Sequence, residues 1–209
     1  MANEYAKTLL RFLFHVGYLF RVVQVKTPEQ KQVFRSLWTS VWTDEGYAND
    51  KEPLHEIEEH YAVFNPWSTD LLLYFCFTPI GTIRLIWDNG TVGLPVLNDF
   101  ETEKRWKGRV VEATLLTVKK GYRGRFHHLP SLILWRELYR RAGNRGMEGI
   151  VMAADVRVLC LLRRLFPFQL VGKEKFYEGS LTVPAYLSME QVNEEFPRTH
   201  PCLTRFFLA

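Results

Sequence analysis

The segment from Val110 to His128 constrains the fold more than any other part of the chain. Val110 to Val118 is a long apolar run with strand character. It leads without a spacer into Lys119-Lys-Gly-Tyr-Arg-Gly-Arg-Phe-His-His128, a basic turn that carries two glycines. Pro130 to Ala142 then reads as a helix, with Leu132, Trp135, Leu138, Tyr139 and Ala142 at helical spacing. A strand that turns directly into a helix N-terminus makes an anion site, because the unpaired amides and the positive dipole end both face the turn.

The flanking segments extend this unit into a mixed α/β sheet. Phe20 to Val25 alternates as a short strand. Thr27-Pro28-Glu29 opens a helix, Thr27 as N-cap and Pro28 at the first helical position, with Val33, Leu37, Ser40 and Val41 on one side. Thr43 to Pro53 reads as an acidic loop and Leu54 to Tyr61 as a second short helix. Leu71 to Thr78 is expected to be a buried strand, Pro79-Ile80-Gly81 its turn, and Thr82 to Trp87 the returning strand, closed by Asn89-Gly90. Ile150 to Ala154 and Thr182 to Leu187 are further strands; Val156 to Leu165 and Met189 to Phe196 are helices. The first seventeen residues are read as an amphipathic helix. With Lys7 and Arg11, it suits either packing on the sheet or lying on a membrane surface. The 209 residues, without repeat or low-complexity linker, are expected to form a single domain over 1–209.

Charge is unevenly spread. Lys119 to Arg145 holds eight basic residues against Glu137 alone; Asp44 to His60 holds seven acids against Lys51 alone. A basic surface of this kind attracts phosphates, nucleic acid or an acidic protein. The balancing acidic segment and the lack of any zinc finger or RNA-recognition motif speak against nucleic acid. No clean apolar run reaches membrane-span length and no signal-peptide cleavage pattern is present, so a cytoplasmic protein is expected. Cys76, Cys160 and Cys202 are odd in number and far apart, and read as buried apolar fillers. No metal is expected: His55-Glu-Ile-Glu-Glu-His60 sets its histidines five apart, on different helix faces.

Tyr122-Arg123-Gly124-Arg125 after its strand resembles the acyl-donor motif of GCN5-related N-acetyltransferases, in which strand, phosphate turn and helix hold a pantetheine arm. Phe126 and His128 stand where that motif has small residues, which suits a donor with the single phosphate of a carrier protein's phosphopantetheine. Val33-Phe-Arg-Ser-Leu-Trp38, Glu45-Gly-Tyr, Asp50 and Gly81-Thr-Ile-Arg84-Leu85 resemble the autoinducer synthase group. Gly93-Leu-Pro95, Tyr177-Glu-Gly179 and Pro184-Ala-Tyr-Leu187 look more like the N-acyl amino acid synthases and exosortase-associated acyltransferases. Homoserine-lactone synthases have Arg where this chain has Leu115, which favours an acyl-amino-acid synthase.

The resemblance implies a GCN5-related N-acetyltransferase-like fold and an N-acyltransferase. It would move a long-chain acyl group from acyl carrier protein, or from acyl-CoA, to the amine of an amino acid or related acceptor, with no permanently bound cofactor. The amine's free pKa, about 7.7–8.0, asks only a modest base. Glu112 is expected in that role or, alternatively, paired with Arg84. Arg84 is expected to clamp the acceptor carboxylate or to pair with Glu112 or Asp50. Trp38, Trp42, Asp50 and Thr114 complete the expected acceptor site. Backbone amides at a distortion in the central strand, Leu116, Thr117 and Val118, would face the thioester. Arg123, Gly124, Arg125 and His127 would hold the phosphopantetheine phosphate, and Arg123, Arg125, Arg136 and Arg140 would dock the acidic carrier. The alternatives are an autoinducer synthase using S-adenosylmethionine, an acetyl-CoA-dependent acetyltransferase and a non-catalytic acyl-binding module.

Overall fold

The computed structural model describes residues 17–49, 53–103, 109–124 and 128–208. The helix expected over the first seventeen residues therefore falls outside the described residues, except that Gly17 begins a short 3-10 turn.

Strands β1 (Phe20–Gln24), β2 (Ser68–Phe75), β3 (Thr78–Trp87) and β4 (Val110–Val118) form consecutive antiparallel pairs. Strand β5 (Gly149–Asp155) then joins β4 in parallel, and β8 (Ser180–Ser188) pairs antiparallel with β5. The short β6 (Gln169–Leu170) and β7 (Lys175–Tyr177) both pair with β8. Helix α1 (Pro28–Glu45) covers one face with α2 (Leu54–Ala62) and α3 (Pro95–Asp99). The other face carries α5 (Leu129–Asn144), which follows the single turn α4 (Lys120–Arg123). Helices α6 (Val156–Leu162), α7 (Met189–Thr199) and α8 (Pro201–Phe207) complete that second layer. The mixed sheet with helices on both faces is the architecture that the sequence predicts.

Local chemistry sets the ends of α1. The Thr27 side chain accepts the Gln30 N–H while the Gln30 side chain accepts the Thr27 N–H, a reciprocal capping box, and Pro28 stands at the first helical position. The helix runs to Glu45 and stops at Gly46, whose φ of 77° is a left-handed cap. The expected acidic loop therefore starts three residues late; Thr43, Asp44 and Glu45 are helical. The buried face is Phe34, Leu37, Trp38, Val41 and Trp42, a wider stripe than the aliphatic residues alone suggest.

The β2–β3 hairpin also differs from expectation. Its turn is Cys76-Phe77, with Phe75 paired to Thr78, and Pro79, Ile80 and Gly81 lie inside β3. Tyr74 pairs with Pro79 and Leu73 with Gly81, so Ile80 is the extra residue; the pairing of β3 with β4 begins only at Gly81, beyond the proline. Cys76 occupies the turn at φ 53° and is exposed, as is Cys160 on α6, so neither is a buried filler; the side chain of Cys202 lies outside the described residues.

One ion pair crosses the buried face of β2 and β3. Arg84 Nε and Nη2 donate to the two carboxylate oxygens of Asp70 at 2.6 and 2.8 Å, and Nη1 donates to the Tyr61 carbonyl at 3.3 Å. Asp70 and Arg84 are cross-strand partners, so backbone register itself aligns the bidentate pair. The expected partner Glu112 lies one strand further on, opposite Ile86, and Asp50 is outside the described residues. Asp70→Ala strands a buried guanidinium and is expected to cost about 3–5 kcal/mol in urea unfolding. The double variant Asp70→Leu/Arg84→Met should recover most of that loss, whereas equal destabilisation of both variants would contradict the pair's role.

Candidate active site

The site is built around an irregularity in β4. Thr82 pairs with Thr117 and Arg84 with Thr114, so β4 spends one residue more than β3 over the same span. Leu115 lies at the extra position with φ 48°. Its consequence is a switch of faces. Val110 and Leu115 pack on the α1 side, while Val111, Ala113 and Val118 pack on the α5 side. The buried Thr82 hydroxyl bonds the Leu115 carbonyl at 2.8 Å and the Thr117 hydroxyl at 2.7 Å. Gly81 closes the same joint: a Cβ there would come within 2.8 Å of the Thr117 carbonyl.

Beyond the irregularity the sheet opens. β4 and β5 pair only over Val110–Glu112 and Gly149–Val151. β5 then follows β8 through Asp155, and β4 runs on to Val118 without a β5 partner. Two cavities line the gap. One, about 100 Å³, is walled by Thr114, Leu115, Leu116, Ala153, Asp155, Glu178, Ser180 and Thr182. The next, about 220 Å³, is walled by Leu116, Thr117, Val118, Arg123, His128 and Ser131, the last two at the N-terminus of α5. Trp42 and Tyr47 line both. On the α1 side a third cavity of about 750 Å³ is lined by Phe34, Trp38, Tyr61, Asp70, Arg84 and Leu115, with Lys31, Arg35, His55, Glu58 and Glu59 around it. Leu115 lines both the third cavity and the small one.

A polar cluster joins them. Thr114 Oγ1 donates to the Tyr61 hydroxyl at 2.9 Å, and Tyr61 donates to Glu178 Oε2 at 3.4 Å. Behind this, Tyr177 donates to Asp99 at 2.8 Å, and His60 Nε2 lies 3.2 Å from Asp99. Burial and the carboxylates Glu178 and Glu112 hold Tyr61 protonated well above the usual tyrosine range. The pKa of His60 is raised by the neighbouring Asp99 carboxylate.

The predicted residues distribute unevenly over this geometry. Trp38, Trp42, Arg84, Thr114, Leu116, Thr117, Val118 and Arg123 all line one of the three cavities. Glu112 lines none of them: it is 1% exposed and accepts the Val96 N–H at 2.9 Å, tying α3 to β4. Desolvation raises its pKa well above the usual carboxylate range. Arg84 gives its Nε–Nη2 edge to Asp70 while lining the 750 Å³ cavity. Gly124 ends α4 exposed; Asp50, Arg125 and His127 lie outside the described residues. The arginines expected to dock a carrier protein also make contacts within the chain. Arg123 bonds the Val118 carbonyl and Glu45, Arg140 pairs with Glu137, and Arg136 stacks over Phe206. Tyr61, Asp70 and Asp99 were not singled out in the sequence, and Glu178 was noted only within Tyr177-Glu-Gly179, a segment of family resemblance to which no role was given. Among the described residues no cluster of three or more His, Cys, Asp or Glu is arranged to hold a metal, and no helix is long and apolar enough to cross a membrane.

A central strand with a kink, splayed from its parallel neighbour ahead of a helix N-terminus, defines a GCN5-related N-acyltransferase fold. The match to the family model for N-acyl amino acid synthase FeeM spans residues 35–190, and the chain belongs to that family. The structure is similar to that of FeeM, an N-acyl amino acid synthase from uncultured soil microbes (TM-score 0.66, 16% identity, covering 86% of this chain and 96% of that one). It is also similar to the AHL synthase LasI (TM-score 0.59, 13% identity, 83% and 92% covered). A third similar structure is the spermidine N-acetyltransferase from Vibrio cholerae in complex with CoA and spermine (TM-score 0.55, 13% identity, 85% and 99% covered). A search of curated protein sequences finds no match. The chain is an N-acyltransferase and takes an acyl-donor co-substrate.

Two outcomes follow. Thr82→Val leaves the Leu115 carbonyl and Thr117 hydroxyl without their shared partner, and is expected to cost about 1–3 kcal/mol in urea unfolding. A neutral effect would mean that Thr82 does not hold the irregularity. Glu112 binds its proton more tightly folded than unfolded. The folded state therefore loses stability as pH rises from the unfolded carboxyl value, near 4.5, toward the raised folded value. Differential scanning calorimetry should show wild type falling relative to Glu112→Gln across that window; parallel curves would show an ionised Glu112.

Proposed function

We propose that this enzyme acylates the amine of an amino acid, or of a closely related acceptor, with a long-chain acyl group carried on phosphopantetheine. The opening between β4 and β5, aligned with the start of α5, is the observation that carries this reading. A pantetheine arm entering past His128 and Ser131 would run along Leu116 to Val118 and complete the broken edge of β4 with its own amides. The anionic phosphate would meet the positive end of α5 and the basic turn at Lys119 and Lys120. Backbone amides after Leu115 would face the developing oxyanion, already oriented by the kink.

The acceptor reading rests on the 750 Å³ cavity. Its aromatic walls, Phe34, Trp38 and Tyr61, suit an amino-acid side chain, and the mixed charges of Lys31, Arg35, Glu58 and Glu59 suit a zwitterion. Leu115 lines this cavity and the thioester side alike, so amine and carbonyl would meet at the kink. Direct attack by the amine forms the N–C bond and releases the thiol, with no covalent enzyme intermediate. Acyl carrier protein is the donor we favour. Lys119, Lys120 and the arginines of this basic stretch, Arg123, Arg136 and Arg140, would supply the attraction for an acidic carrier.

Thiol release is to be followed with one long-chain acyl group presented on carrier protein, on CoA and, as acetyl, on CoA, against a panel of amino acids, with products identified by mass spectrometry. The expected product is the acyl-amino acid, formed at least tenfold more efficiently from carrier protein than from CoA and slowed by salt. Efficient acetyl transfer without long-chain transfer would contradict the reading, and so would lactone formation from S-adenosylmethionine.

A further inference from the structure

We infer that Glu178 is the base that takes the proton from the acceptor's ammonium group. The inference rests on the acyl-transfer reading above and deepens it. Glu178 lines the small cavity in the β4–β5 opening beside Thr114, Leu115 and Leu116, where the thioester carbonyl and the amine would meet. Glu112 lines none of the three cavities described and is held by the Val96 N–H.

Glu178 is held by both backbone and side chain. It and Gly179 are the two central residues of the β7–β8 hairpin, at φ 47° and 70°, the pattern of a type I′ turn. Such turns favour Asn or Asp at the first position, so a glutamate there sits against local preference, as functional residues often do. The turn is pressed onto the end of α1: a Cβ on Gly179 would come within 2.5 Å of the Gly46 carbonyl. The hydrogen-bond chain from Thr114 through Tyr61 ends on its carboxylate. Because Tyr61 also lines the 750 Å³ cavity, that chain spans the junction between acceptor and donor spaces. Among the described residues, the titratable groups that interact with Glu178 include Tyr61 and His60 from α2, Glu112 from β4 and Tyr177 from its own hairpin, and Asp155 lines the same cavity.

The step balances simply. The ammonium gives one proton to the Glu178 carboxylate, and the free amine attacks the thioester. The N–C bond forms, the C–S bond breaks, and the second amine proton ends on the departing thiol. Glu178 then returns its proton to solvent.

Wild type, Glu178→Gln and Glu178→Asp are to be compared in the long-chain thioester assay. The acceptors are an amino acid and the corresponding aminooxy acid, whose amine is unprotonated at neutral pH. A proton-accepting role predicts that Glu178→Gln loses about 100-fold in kcat at pH 7 with the amino acid and less than fivefold with the aminooxy acid. The amino-acid rate should rise about tenfold per pH unit toward the amine's own pKa, and Glu178→Asp should recover part of it. Equal losses with both acceptors, or undiminished turnover by Glu178→Gln, would overturn the assignment while leaving acyl transfer intact. Absence of amide product from wild type with every acceptor would overturn the acyl-transfer reading itself.

Discussion

The extra residue at Leu115 is the constraint on which the rest of the molecule depends. A regular β4 would keep alternate residues on one face to its end and would stay alongside β5. With Leu115 at φ 48°, the alternation changes over mid-strand and the second half of β4 exposes an unpaired edge. A non-glycine residue in left-handed backbone is held only when its surroundings over-determine it. Here they do: the Thr82 hydroxyl bridges Leu115 and Thr117, Gly81 allows the close backbone approach, and Leu115 itself is buried among the α1-side core.

The two faces of the sheet then take different work. The α5 side is a dry core built on Trp135, Phe166, Phe168 and Phe196, whose rings pack edge-on or stacked. The α1 side is also well buried but carries the polar apparatus: the Asp70–Arg84 pair, Glu112, and the Thr114–Tyr61–Glu178 chain. Paired or hydrogen-bonded, these groups tolerate burial that would otherwise cost several kcal/mol each. The chemistry of an acyl transferase can therefore lie beside a core without destabilising it.

Much of this frame was legible in the sequence. Although its end at Gly46 falls inside the segment that reads as a loop, α1 has its start marked by Thr27-Pro28 through local capping that short-range pattern records. The run from Val110 into the basic turn revealed the β4-to-α5 unit for the same reason. The hairpin turn was not legible, since Pro79 and Gly81 are turn residues by preference but serve β3 through a register shift and a close approach to Thr117. Nor was the partner of Arg84. Asp70 lies fourteen residues away and meets it only because the true hairpin turn brings the two into register. Glu178 was visible only as part of Tyr177-Glu-Gly179; its place beside Thr114 depends on β7 and β8 closing the far side of the opening, which that segment alone does not show. The arginines of the basic stretch were legible as charge, but their intrachain contacts with Glu45, Glu137 and Phe206 were not, since these depend on tertiary packing or on rotamers.

The most direct measurement is a crystal structure with a non-cleavable 2-oxoalkyl thioether of phosphopantetheine, which keeps a ketone carbonyl one carbon from the sulfur. The account predicts the arm between β4 and β5, its phosphate end at the start of α5, and its carbonyl oxygen about 3 Å from a backbone N–H in Leu116–Val118. An arm lodged instead in the cavity between α1 and α2, or a carbonyl turned away from β4, would contradict it.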